Sequence, residues 1–346
     1  MKGRVAAGLG WILCLSFLSG IAAVRASAES LPSFTISPLF PLTQGLAPYA
    51  DPAPPFLKRG EMSIASALTW TNTLRVDDGS SWPGYSLIVD GETLVYHSSL
   101  SMGLGSHVTM GLWYEASAIF PGIMDPALSA FHHAFGFANQ WRDFIPPNLL
   151  SIEVLSPAGV LANVHDSGFG LDSLGAGLDW KSTFPFVPSL GLKVKVPVPS
   201  PAPFLFGALP AIELTSAWEA SWERLDGGLA LGMAYQAFPS PFDAIPHREW
   251  LPQASARLFI TLTPALSIGG EAAATESPYA IDEWYLGGIV GNVWAGLSAR
   301  LTPSLRLETA VIEELASWAS IEVGFQAGLR WNGGFRQGGY PGTISP

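Results

Sequence analysis

The chain has 346 residues, 48% hydrophobic and only 13% charged, about half the roughly 25% charged share of ordinary soluble domains. Its 17 basic residues face 28 acidic ones, which excludes the cationic surface that nucleic-acid phosphates require.

The N-terminus reads as a targeting segment, residues 1–28. Lys2 and Arg4 precede an apolar run from Val5 to Val24, and Ala26-Ser27-Ala28 forms the small-x-small pattern of a signal-peptidase site. A retained anchor is the rival reading, but Gly8, Gly10 and Gly20 dilute the run below what a spanning helix needs. Cleavage before Glu29 removes Cys14, the only cysteine, so the mature chain offers no disulfide, thiol nucleophile or cysteine metal site. It also leaves 14 of the 17 basic residues against all 28 acidic ones. No later run of about 18 apolar residues could form a spanning helix. An exported chain this apolar can still cross a membrane on alternating strands closed into a barrel.

Residues 29–59 form a proline-rich arm. Pro32, Pro38, Pro41, Pro48, Pro52, Pro54 and Pro55 exclude a central strand. Phe34, Ile36, Leu39, Phe40 and Leu42 predict that the arm packs on the rest of the chain; a disordered linker is the alternative.

From Glu61 the apolar period becomes two. Met62, Ile64, Leu68, Trp70 and Leu74 share one face against Ser63, Thr69, Thr71, Thr73 and Arg75. The same alternation recurs at Leu190 to Val198, Ile212 to Trp222, Leu258 to Leu262 and Ile321 to Trp331. A soluble sandwich would alternate too, but several runs reach about ten residues, the length of a tilted membrane strand. Short connections (Thr263-Pro264, Thr302-Pro303) also alternate with long ones, as between the two sides of a membrane barrel. The fold predicted for residues 60–331 is therefore an all-β, antiparallel transmembrane barrel of about 12 strands. Leu149 to Val164 is read as a hairpin above the membrane; if it spans, the count is 14. Trp250, Trp284 and Trp318 fall at strand starts and Trp180, Trp222 and Trp331 at strand ends, where indoles favour the two interfaces. Trp284 and Trp294 have inward parity. Residues 332–346 are a C-terminal tail.

The inward face carries Lys193, Lys195, Arg257, Arg306 and Arg330 against Glu213, Glu219, Glu271, Glu308 and Glu322. This mixture fits either ion-paired filling or a narrow aqueous passage. Gly175, Gly177, Gly228, Gly269 and Gly328 also point inward.

The long connection at residues 121–148 differs from the rest. Asp125 as N-cap and Pro126 at the first helical position predict a short helix, with Leu128, Phe131, His132 and Phe135 at helical spacing. Its phenylalanines predict burial in the barrel mouth, so the helix is expected to fold inward as a lid, with Arg142 or Asp143 pairing with an inward rim charge. Asn139, Arg142 and Asp143 could hold a polar headgroup or sugar, or simply tie the loop to itself. His132-His133 could serve a ligand, but lack the partners of a metal site, and no cofactor is expected. On one strand face, His97 and Ser99 match a base-nucleophile spacing, with no third group to orient the histidine.

The run Phe131-His132-His133-Ala134-Phe135-Gly136-Phe137-Ala138-Asn139-Gln140-Trp141-Arg142-Asp143 resembles the loop of an uncharacterised family of bacterial outer-membrane barrels, a domain of unknown function. The proline-rich arm and the closing strands, with Glu313-Glu314-Leu315 and Gly324 to Trp331, resemble the same family. Ala138 and Gln140-Trp141 depart from its loop pattern, and the tail outruns its final aromatic residue. The resemblance implies a barrel in the outer membrane, with lipids and the barrel-assembly machinery as partners, and no reaction. Three functions remain open: passage or binding of a small or amphipathic molecule gated by residues 121–148, a structural barrel with a blocked lumen, or a lipid hydrolase using His97 and Ser99.

Overall fold

In the computed structural model, residues 32–37, 39–42, 51, 56–77, 84–136, 142, 144–157, 159–182, 184, 187–198, 210–236, 247–280, 287–315 and 323–334 are described. The expected signal peptide, Asn139, Asp143, Trp284, Trp318, Glu322 and residues 335–346 of the expected tail lie outside them.

Among the described residues, fourteen strands and one helix follow in chain order. They are β1 (Glu61–Asp77), β2 (Ser86–Gly103), β3 (Val108–Phe120), α1 (Asp125–Phe135), β4 (Ser151–Ser156), β5 (Gly159–Val164), β6 (Gly168–Trp180), β7 (Ser189–Pro197) and β8 (Ala211–Trp222). Then come β9 (Leu225–Gln236), β10 (Trp250–Thr263), β11 (Leu266–Glu276), β12 (Ile289–Thr302), β13 (Leu305–Glu314) and β14 (Val323–Gly334). Every described pairing between them is antiparallel, and β1 pairs with both β2 and β14, which closes a barrel of twelve strands. The hairpin β4–β5 stands outside that ring, as expected for Leu149 to Val164. The last strand runs three residues past Trp331, so the barrel takes in the start of the expected tail.

Register explains where the hairpin sits. Strand β2 is 18 residues long, but β3 covers it only from Glu92 onward. The uncovered edge at Ser86 to Asp90 is taken by β4, which would otherwise leave unpaired backbone groups.

The alternation in sequence becomes a sorting of side chains. Along β1, Ser63, Thr69, Thr71 and Arg75 are buried inside, whereas Ile64 and Leu68 are 43% and 47% exposed outside. The same split runs round the ring, with Leu112, Leu178, Leu214, Leu258, Ile268, Leu297, Val311 and Leu329 outermost. This is a soluble barrel turned inside out, with large apolar side chains exposed all round its wall. Strand-end tryptophans border that belt: Trp180, Trp222 and Trp331 at the short-turn end, Trp250 at the long-loop end. Trp294 points inward and is fully buried, as its parity predicted.

Small inward residues make room for large ones. A Cβ on Gly296 would lie 1.9 Å from the Thr309 carbonyl oxygen on β13, a backbone atom that no rotamer change can move. Gly105, in the turn after β2, would meet nothing within 4 Å. Gly296→Ala should therefore destabilise the barrel by about 1–3 kcal/mol, and Gly105→Ala by less than about 0.5 kcal/mol. The temperature at which the folded, fast-migrating band converts on a detergent gel measures both.

Candidate functional site

The inside of the barrel is the candidate site, and the N-terminal arm occupies much of it. Phe34 and Leu39 join Phe259, Trp294, Ile312, Val95, Ala273 and Ala310 in one buried cluster. The rings of Phe34 and Phe259 stand 5.2 Å apart, tilted by 55°. The arm's expected packing thus has its receptor in the lumen wall.

An extended segment outside any sheet must find partners for its own backbone. Glu271 accepts the Phe34 N–H at 2.8 Å, and Gln326 accepts from Thr35 N at 3.2 Å while donating to Thr35 O at 2.7 Å. Arg330 donates to Ser33 O at 3.0 Å and Arg257 to Pro32 O at 3.2 Å. Near the long-loop end, the Tyr279 hydroxyl donates to Leu42 O at 2.8 Å; burial raises its pKa, keeping the proton in place. The arm then returns to the short-turn end. Leu57 N donates to Thr109 Oγ1 at 3.1 Å, and Arg59 bridges to Gly103 just before β1 begins.

The inward charges meet each other or the arm. Lys193 pairs with Glu213 at 3.4 Å, Arg257 with Glu219 at 3.4 Å, and Arg330 with Glu308 at 3.4 Å. Lys195 pairs with Glu115 at 3.0 Å. Arg306 donates to Ser298 at 3.4 Å. Arg75 and Glu314 close a further pair near the long-loop rim. These paired groups lie on the inward face of the wall. Glu115, Asp172 and the Arg75–Glu314 pair were missed by the sequence reading.

His97 and Ser99 also face the lumen, so a bilayer lipid at the outer wall does not meet them. Glu115 stands 3.5 Å from His97 Nδ1 and is itself held by Lys195 and Ser173. A cavity of about 150 Å³ remains between the arm and the wall, bordered by both residues and by Trp113.

The long loop is where expectation and structure part. Helix α1 has the expected bounds, but Met124 is its N-cap, and Gly136 ends it in the left-handed region at φ 72°. Asp125 is free to do something else. Its carboxylate accepts from Asn72 Nδ2 at 3.0 Å, from Asn148 N at 2.6 Å and from the Arg142 guanidinium, which also reaches Asn72. Asn72 lies on the face of β1 shared by Ile64 and Leu68, hence outside. Glu92, opposite it on β2, accepts from Trp70 Nε1 and Ile123 N, each at 2.6 Å, and from Met124 N. These contacts hold the first turn of α1 to the outer side of the barrel. Phe131 and Phe144 stay exposed, at 48% and 79%. The inward lid is therefore overturned, and Arg142 ties the loop to itself and to β1. His132 and His133 lie on the helix, His133 beside Ser129 O at 2.8 Å, and among the described residues no cluster of metal-binding side chains forms.

No family model and no curated protein matches the chain. Among solved structures it is similar to an outer membrane channel from Pseudomonas putida F1, at 13% identity over 80% of this chain and 96% of that one, TM-score 0.46. It is also similar to the NanC porin, at 7% identity over 78% and 98%, TM-score 0.44. A third is the Pseudomonas putida toluene transporter TodX, at 10% identity over 86% and 98%, TM-score 0.40.

Two anchors can be tested separately. Asp125→Ala strands a buried guanidinium, at a local cost of about 3 kcal/mol, and should open residues 121–150 to protease while the barrel keeps its heat-modifiable band. Phe34→Ala combined with Gln326→Ala should release the arm, read as new protease cleavage within residues 32–42.

Proposed function

We propose that this chain is a bacterial outer-membrane barrel for the passage or binding of a small molecule, and that its N-terminal arm restricts the lumen. The apolar exterior supports the membrane placement, because large side chains exposed all round the wall need a lipid solvent. An even number of antiparallel strands, with short turns at one end and long loops at the other, is the pattern of the bacterial outer membrane. Outer-membrane lipids are then its immediate partners, and the barrel-assembly machinery inserts it.

The observation that carries the reading is the arm inside the wall. Its backbone is held by side chains rather than by a sheet ladder, so it can leave without breaking the barrel. Regulation thus moves from the loop at residues 121–148 to residues 32–60. Arg142 acts as a loop fastener in this reading, and His132 and His133 remain on the helix.

A second reading, the sealed structural barrel, is favoured by the same contacts if the arm never leaves. A bilayer recording separates the two. The mature chain should conduct weakly, and a form lacking residues 29–57 should show stepwise openings of several-fold higher conductance. A mature chain that stays silent while the shortened form conducts would establish the sealed barrel, and silence from both would sink the passage reading.

A further inference from the structure

The cavity between arm and wall has a chemistry that its ion pairs alone do not explain. Trp113 projects inward from β3, and Gly175 faces it across the strand pair. A Cβ at Gly175 would lie 2.0 Å from Trp113 Cε2, so the missing side chain is what lets the indole lie against the wall. The ring then borders the cavity. Ser99 is directly opposite Trp113 on β2, Ser101 is the next inward position, and Ser63 on β1 is opposite Ser101. All three border the cavity, and among the described residues their hydroxyls meet no partner.

The charges around this group are already engaged. Lys193, Lys195 and Arg330 border the cavity, and each holds a carboxylate, on Glu213, Glu115 and Glu308. Asp51 and Asp179 border it too, beyond the carboxylates that already hold those three cations. An anionic ligand would have to break a pair, and a wholly apolar one would leave the hydroxyls without partners. The volume, about 150 Å³, is room for a cluster of waters, each needing roughly 10–15 Å³ of it. A small chain of hydroxyls can replace such waters one for one.

We propose that this space binds a small neutral polyhydroxyl molecule, a tetritol or a pentose, against Trp113, with Ser63, Ser99 and Ser101 pairing its hydroxyls. The apolar C–H face of such a molecule suits the indole, and its hydroxyls both donate and accept, as serines require. The proposal rests on the lumen being the solute's place, and it names the solute class for that same site.

Saturation-transfer NMR on the folded mature chain in detergent tests it, with erythritol and D-ribose as probes and acetate and alanine as anionic and zwitterionic controls. Erythritol and ribose should bind and compete with each other. Trp113→Ala should weaken both by about tenfold, and Trp113→Phe should restore part of the loss. Should Trp113→Ala not fold, Ser99→Ala with Ser101→Ala, which removes almost no volume, should weaken binding by a similar factor. No binding of either polyol, stronger binding of acetate or alanine, or equal affinity in the variants would overturn the proposal. Failure here leaves the conductance of the arm-free barrel untouched, whereas a silent barrel that still binds erythritol would sink the passage reading alone.

Discussion

Every backbone N–H and C=O in a lipid-facing wall must find a partner within the wall, and that requirement organises the molecule. Closure through β1, which pairs with β14 on one side and β2 on the other, meets it for all twelve strands. Where the ring falls short, the chain repairs it locally: β4 covers the edge that β3 leaves free. Closure also fixes parity, since one residue of slip would turn every leucine of a strand inward. The apolar belt and the polar lumen are two consequences of one ladder.

A closed wall of twelve strands encloses more space than its own side chains fill. Burying charges in that space costs several kcal/mol per ion unless each is paired, which explains why Lys193, Lys195, Arg257 and Arg330 each hold a carboxylate. The arm imposes a second demand, because it brings a backbone with no ladder of its own. Wall groups meet both demands at once: Arg330 serves Glu308 and Ser33 O, while Gln326 serves Thr69 and both polar groups of Thr35. Arg257, Glu271 and Arg330 thus fasten the arm, whereas Lys193 and Lys195 pair across the wall. Their mixed signs follow from pairing and say little about ion selectivity.

The outer end of the molecule is fastened by a different logic. Glu92 and Asn72 are polar residues on the apolar side of their strands, above the belt. Each is buried because the segment after β3 folds over it, and each returns the favour by capping that segment's N–H groups or its Asp125. Polar residues out of pattern near a strand end mark where a loop docks.

The sequence by itself determined the antiparallel barrel and the inward Trp294, and it left the strand number at 12 or 14. These follow from a period of two and from connection lengths, both local properties of the chain. It also showed that Phe34 and its neighbours need burial, without showing where. Tertiary structure alone decided the partners: Phe34 N meets Glu271 across 237 positions, and Arg142 meets Asn72 across 70. The same limit produced the misplaced lid. Five phenylalanines in and beside residues 121–148 suggested a search for cover, but the polar anchors Asn72 and Glu92 point outward, and they decide the side on which the loop lies. Periodicity reports which face a residue takes, whereas which distant segment arrives at that face depends on closure of the whole ring.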